Sequence, residues 1–229
     1  MKQKCFFTSL CLLLVLVFIS GCAPESETES ASLFDKIVLD GANTRSADFE
    51  YGMSVEDVLK ILNLKEADLF SLDTYPLDEA SSPVSGASEM TMMATKDAFF
   101  YSEFGENLPF RLMFTFYDDA LRKVVYNVYI DVADPGEGYE LAMEFMNRFI
   151  ERTGAAPVEN GTEFEYQTYG SPEKDSFLTP GGNYVCQFFH GGVLGDISMS
   201  SFTPTADQGY EQDVMVQLGI SLMLDRIEQ

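Results

Sequence analysis

The sequence predicts an α+β protein, two helices packed on antiparallel sheet, and three observations carry that reading. Residues 54–64 and 135–153 place apolar side chains at helical spacing behind recognisable N-terminal caps. Other stretches alternate apolar and polar residues with a period of two, and turn sequences join them into hairpins. The 229 residues are 46% hydrophobic and 13% aromatic, with 19 Phe and 11 Tyr. A disordered acidic chain lacks such material, so a core can be buried.

In chain order the first element is a targeting segment. Lys2 and Lys4 precede an apolar run from Cys5 to Ile19, interrupted only by Thr8 and Ser9 and closed by Ser20-Gly21-Cys22. This is the layout of a secretory signal, and the run falls short of the ~20 residues of a comfortable membrane span. The tetrapeptide Ile19-Ser20-Gly21-Cys22 resembles the lipobox of bacterial lipoproteins. The resemblance implies removal of residues 1–21, a diacylglyceryl group on Cys22 as the new N-terminus, and attachment to the extracytoplasmic side of a membrane. Several acyl chains on one cysteine hold a protein where a single chain would be marginal.

Residues 22–32 read as a flexible tether: Pro, Glu, Ser, Thr and Ala follow Cys22 without large apolar residues. The α+β domain begins near Leu33-Phe34 and occupies 33–229. Ser54 caps the first helix, with Asp57 as the third residue of a capping box and Met53 placed to staple against Val58. Val55, Val58, Leu59 and Leu62 form its stripe. Residues 65–87, rich in Asp, Ser and Pro, read as a long connection with room for a second short helix. Residues 88–101 read as one or two β segments. Between Phe110 and Asp131 lies the clearest hairpin: Phe110, Leu112, Phe114 and Phe116 alternate, Asp118-Asp119 turn, and Val124, Tyr126, Val128 and Ile130 return.

The second helix has Asp134 as cap, Pro135 at the first helical position, Glu137 in its first turn, and Gly154 with Pro157 as its stop. Its stripe is Tyr139, Ala142, Met143, Met146, Phe149 and Ile150. Strands follow near 162–169, 183–190 and 193–202, the last two joined by a two-residue turn at Gly191-Gly192. The tail from Val214 to Leu224 alternates through Val216, Leu218, Ile220 and Leu222, as a strand does. Helix, strands, helix, strands suggest a tandem plan with halves 33–133 and 134–229. The segment Tyr51-Gly52-Met53-Ser54-Val55-Glu56-Asp57-Val58, followed by hairpins, looks like small envelope-assembly lipoproteins and the tandem β-lactamase-inhibitor-protein fold.

Charge narrows the partners. The chain has a net charge of −23. Losing Lys2 and Lys4 takes its 14 basic side chains to 12 against 37 acidic ones, a net −25. Such a body cannot replace the counterions of a phosphate backbone, which excludes a general nucleic-acid binder. It is also repelled by anionic headgroups, so the lipid must do the anchoring. With Cys22 acylated, only Cys186 remains of the cysteines, and no intrachain disulfide can form.

No catalytic or cofactor motif emerges. Cys186 and His190 lie ~13 Å apart along a strand, too far to share an ion. Ser171-Pro172-Glu173-Lys174 matches the Ser-x-x-Lys of penicillin-binding enzymes but sits in a Gly/Pro loop without a Lys-Thr-Gly partner. Asp131, Asp134, Glu137 and Glu140 recur every third residue, though capping accounts for two of them and no calcium loop surrounds them. The informative feature is the reverse face of the 110–131 hairpin. There Met113, Tyr117, Val125 and Tyr129 interleave with Arg111, Thr115, Lys123 and Asn127, a face too apolar for simple solvation. It is either covered by another part of the molecule or it binds a partner.

The reading that results is a membrane-anchored extracytoplasmic lipoprotein acting as a non-catalytic binding module for a protein or envelope component, with no cofactor. Two alternatives stand beside it: an envelope hydrolase using carboxylates, and a small-ligand or cation carrier. Converging carboxylates would favour the first, a closed cleft between halves the second, and an open aromatic sheet the binder.

Overall fold

The structure is a computed structural model that describes residues 31–41, 44–78, 84–105, 108–205 and 213–224. The signal segment, Cys22 and most of the tether lie outside the described residues.

The described chain is mixed α+β with sheet predominating. Helix α1 (Leu33–Lys36) leads into a small antiparallel pair, β1 (Ile37–Leu39) and β2 (Thr44–Ser46). Next come α2 (Val55–Leu62), β3 (Leu69–Pro76), β4 (Glu89–Thr95), β5 (Phe110–Tyr117) and β6 (Ala120–Ile130). Then follow α3 (Pro135–Thr153), β7 (Ala156–Pro157), β8 (Glu165–Gly170), α4 (Lys174–Phe177), β9 (Asn183–Phe189), β10 (Val193–Phe202) and β11 (Met215–Met223). Nine of these strands form one sheet in the order β3-β4-β5-β6-β11-β10-β9-β8-β7. All neighbours are antiparallel except β7 beside β8. The C-terminal strand thus occupies the middle of the sheet.

One face of that sheet is the core. Phe110, Leu112, Phe114 and Phe116 of β5 are buried, as are Val124, Tyr126, Val128 and Ile130 of β6 and Val216, Leu218, Ile220 and Leu222 of β11. Helix α3 presents Tyr139, Ala142, Phe145, Met146 and Phe149 to them. Phe145 joins the expected stripe because Phe34 of α1 stacks on it at 4.9 Å and Phe104 lies 4.8 Å away. Met143 and Ile150 are half-buried at its margins. Deep in this layer the Ser46 and Tyr126 hydroxyls share a hydrogen bond of 2.7 Å that fixes β2 on the sheet. Burial pushes the Tyr126 hydroxyl's pKa up.

The caps form as their residue types dictate. Ser54 Oγ accepts the Asp57 N–H at 3.1 Å, and the Asp57 carboxylate accepts the Ser54 N–H at 3.1 Å, which closes the capping box. Asp134 accepts the Gly136 N–H at 2.8 Å, and Gly154 ends α3 with φ 70°.

Two expectations are corrected. Residues 65–87 contain strand β3, not only a connection; its register slips between Leu69 and Ser71, and such a bulge destroys the period that would announce it. The turn after β9 is not the two-residue loop expected from Gly191-Gly192. It spans residues 190–192, with the His190 N–H donating to the Gly192 carbonyl at 3.0 Å and a register shift between Val193 and Gly195.

Candidate functional site

Alternation along each strand builds a second face from the residues that the core does not use. Direct pairing carries one rung of it through Ser71, Ala94, Met113, Val125, Ser221, Asp196, Gln187 and Gln167. Eight strands spaced ~4.8 Å apart make this face about 34 Å wide. The described helices bury their apolar residues in the core on the opposite face.

All four hairpin residues named from the sequence stand on this second face, half-buried: Met113 is paired directly with Val125, Tyr117 with Ala120, and Tyr129 with Gln217. The structure brings Met113 and Val125 together. It holds Tyr117 and Tyr129 at opposite ends of the strands, roughly 25 Å apart at the ordinary rise per residue.

Around Tyr129 the face is ordered by polar and aromatic contacts. The Arg111 Nε donates to Asp97 at 2.9 Å, while its guanidinium carbon lies 4.3 Å from the Phe70 ring centre and 6.0 Å from that of Tyr129. Phe202 meets Tyr129 edge-on at 5.5 Å. Gln217 donates to the Asn127 amide oxygen at 2.7 Å. On the middle strands Gly219, Ser198 and Ser221 keep the surface low, whereas large side chains crowd the outer strands. Of the nine large hydrophobic residues most exposed among the described residues, six lie on this face: Phe70, Tyr75, Met92, Tyr169, Val193 and Met223.

One carboxylate here is perturbed. Burial raises the pKa of Asp196, against the opposing effects of Lys123 and of a hydrogen bond from Ser221. The perturbing groups beside it are a cation and a hydroxyl, not a second carboxylate. Sequence reasoning missed Asp196, Phe202 and Phe70. The repeat Asp196, Ser198, Ser200 at every second position of β10 was the available signal for the first two; Phe70 lay hidden in the unrecognised β3.

The remaining candidates disperse. Cys186 is buried in the core, and desolvation pushes its thiol up to about 12, far from the thiolate a nucleophile needs. The His190 Nδ1 lies 3.2 Å from the Glu163 carbonyl and its Nε2 3.8 Å from the Glu163 carboxylate. Lys174 ion-pairs with Glu140 at 2.8 Å, while Ser171 accepts the Glu173 N–H at 3.3 Å in a turn. Asp134 is occupied as a cap. Among the described residues no group of three or more His, Cys, Asp or Glu is placed to hold a metal ion, and no helix is long and apolar enough to cross a membrane.

No family model, curated protein or solved structure matches this chain.

Proposed function

We propose that the chain is an extracytoplasmic lipoprotein, anchored in a membrane through Cys22, whose second sheet face binds another protein without catalysis. The observation that carries this reading is the gathering of six of the nine most exposed large hydrophobic side chains on one face. Scattered singly, such residues mean little; collected on one surface they mark an interaction site. A face about 34 Å by 25 Å offers roughly 800 Å² to a partner, one side of a standard protein interface.

Chemistry supports a protein partner. The face carries aromatic and methionine side chains, which interface centres favour, set among small polar ones. Its Arg111 is already neutralised by Asp97, and Asp73 on β3 and Glu165 on β8 stand at its two edges. A partner with basic residues around an apolar centre is therefore the complementary one, and the acidic body speeds its approach. The fold is consistent with a tandem plan, in which α2 with β3–β6 and α3 with β8–β11 are two copies joined where β6 meets β11. That is the arrangement implied by the likeness to envelope-assembly lipoproteins and the tandem inhibitor fold.

The test combines a photo-crosslinking residue with a double substitution. Placed at Met92 or Tyr169 in the cellular protein, the crosslinker is expected to give a discrete protein adduct, and placed at Val158, exposed away from this face, none. Tyr117→Ala with Tyr129→Ala is expected to remove the adduct with little change in Tm. Adducts of equal yield from all three positions, or a large drop in Tm of the double variant, would overturn the reading.

A further inference from the structure

A second site lies on the helix-bearing side of the sheet, beside the C-terminal half of α3. A cleft of ≈750 Å³ opens there between the last turns of α3, the short turn 158–160 and the strands beneath. Its size is that of ordinary small-ligand sites. Tyr166 and Thr168 lie on the inner face of β8, opposite the buried Phe188 and Cys186, and line the cleft together with Tyr184 of β9. Burial raises the Tyr184 pKa, against a hydrogen bond from Thr168, so the hydroxyl stays neutral. Glu151 of α3 and Glu159 of the short turn also line it, both exposed to solvent.

Neither glutamate has a cationic partner among the described residues. The arginines nearest in sequence are committed elsewhere. Arg148 faces Glu144 at 4.0 Å and Arg152 faces Asp35 at 3.6 Å, and both lie over the Phe34 ring, at 5.2 and 5.3 Å. No lysine or arginine lines the cleft. The negative end of the 19-residue α3 dipole adds to the same potential.

We propose that this cleft binds a small organic cation of the alkylammonium class. A hard metal ion wants several oxygen ligands around one point, which two carboxylates on different elements do not supply. A diffuse ammonium group instead gains from tyrosine ring faces and from carboxylates at a distance. This site is distinct from the open sheet face and does not depend on its role.

The test uses the full-length protein in non-ionic detergent, titrated with choline and spermidine and followed by calorimetry and by tyrosine emission, which is readable because the chain has no Trp. Saturable binding of at least one of them is expected, and none of an uncharged alcohol shaped like choline. Glu151→Gln with Glu159→Gln is expected to weaken binding about tenfold or more, and a charge-matched pair outside the cleft, Glu137→Gln with Asp175→Asn, less than about twofold. Failure of both cations to saturate, equal binding of the alcohol, or equal losses from the two pairs would overturn the proposal.

Discussion

At Asp196 burial and charge pull in opposite directions, and burial prevails. A carboxyl whose folded pKa lies above its ordinary value binds its proton more tightly folded than unfolded. Its contribution to stability is then complete below the ordinary carboxylate range and shrinks as pH rises through the raised value. Asp196→Asn keeps the shape and a partner for Ser221 without the charge. The variant is expected to match the parent's Tm in acid and to exceed it at neutral pH; a lower Tm at neutral pH would mean that Lys123 outweighs burial. Glu103 has the opposite sign. Burial raises its pKa, but hydrogen bonds from the Ser32 hydroxyl and the Leu33 N–H, the latter at 2.9 Å, outweigh it. That carboxylate pins the start of the described chain and releases it as acid protonates the group. Neither residue was legible in the sequence, because each depends on partners distant along the chain: Lys123 and Ser221 for Asp196, Ser32 and Leu33 for Glu103.

Among elements, those with complete local signals were legible and those without were not. Helix α3 carried cap, proline, stripe and stop within about twenty residues, and forms as expected. Asp134→Ala removes the cap and is expected to lower stability by about 1 kcal/mol, or about 2–4 °C in Tm, by thermal melting. The β5–β6 hairpin was equally legible. Its turn residues Asp118 and Asp119 take φ of 47° and 60°, a left-handed conformation that short polar side chains tolerate. The structure adds what they hold: Asp118 accepts the Ser88 and Glu89 N–H groups at 2.9 and 3.1 Å, and Asp119 accepts the Val55 N–H at 3.0 Å, capping α2 across the fold. Strand β3 escaped notice for a physical reason. At the sheet edge it pairs on one side only, its bulge shifts the alternation, and Asp73 and Pro76 have low strand propensity.

For the whole molecule, net charge bears on the proposed anchoring. Once processed as proposed, a body of net −25 would be held away from anionic headgroups, and attachment through Cys22 would leave both the sheet face and the α3 cleft open to solvent. On the proposed anchoring, Cys22→Ala is expected to leave an unprocessed precursor or to release the protein from membranes, read by fractionation and intact mass. A variant still processed and tightly bound would refute that attachment. Because β6 and β11 pair directly through eight residue positions, the described strands on either side of that pairing form one continuous sheet, and the wide face is the surface that it creates.

The amino-acid sequence by itself determined the two long helices α2 and α3, the β5–β6 hairpin and the apolar side of β5, β6 and β11, since caps, turns and periodicity act over a few residues. Only the tertiary structure decided the strand order, with β11 in the middle and β3 at the edge, and hence which half-polar faces fall side by side. Strand neighbours are chosen by long-range packing of alternating patterns that many strands share, so no local signal specifies them. Both candidate sites arise at that level: one from eight strands laid side by side, the other from the last turns of a helix, a short turn and two strands brought around one cleft.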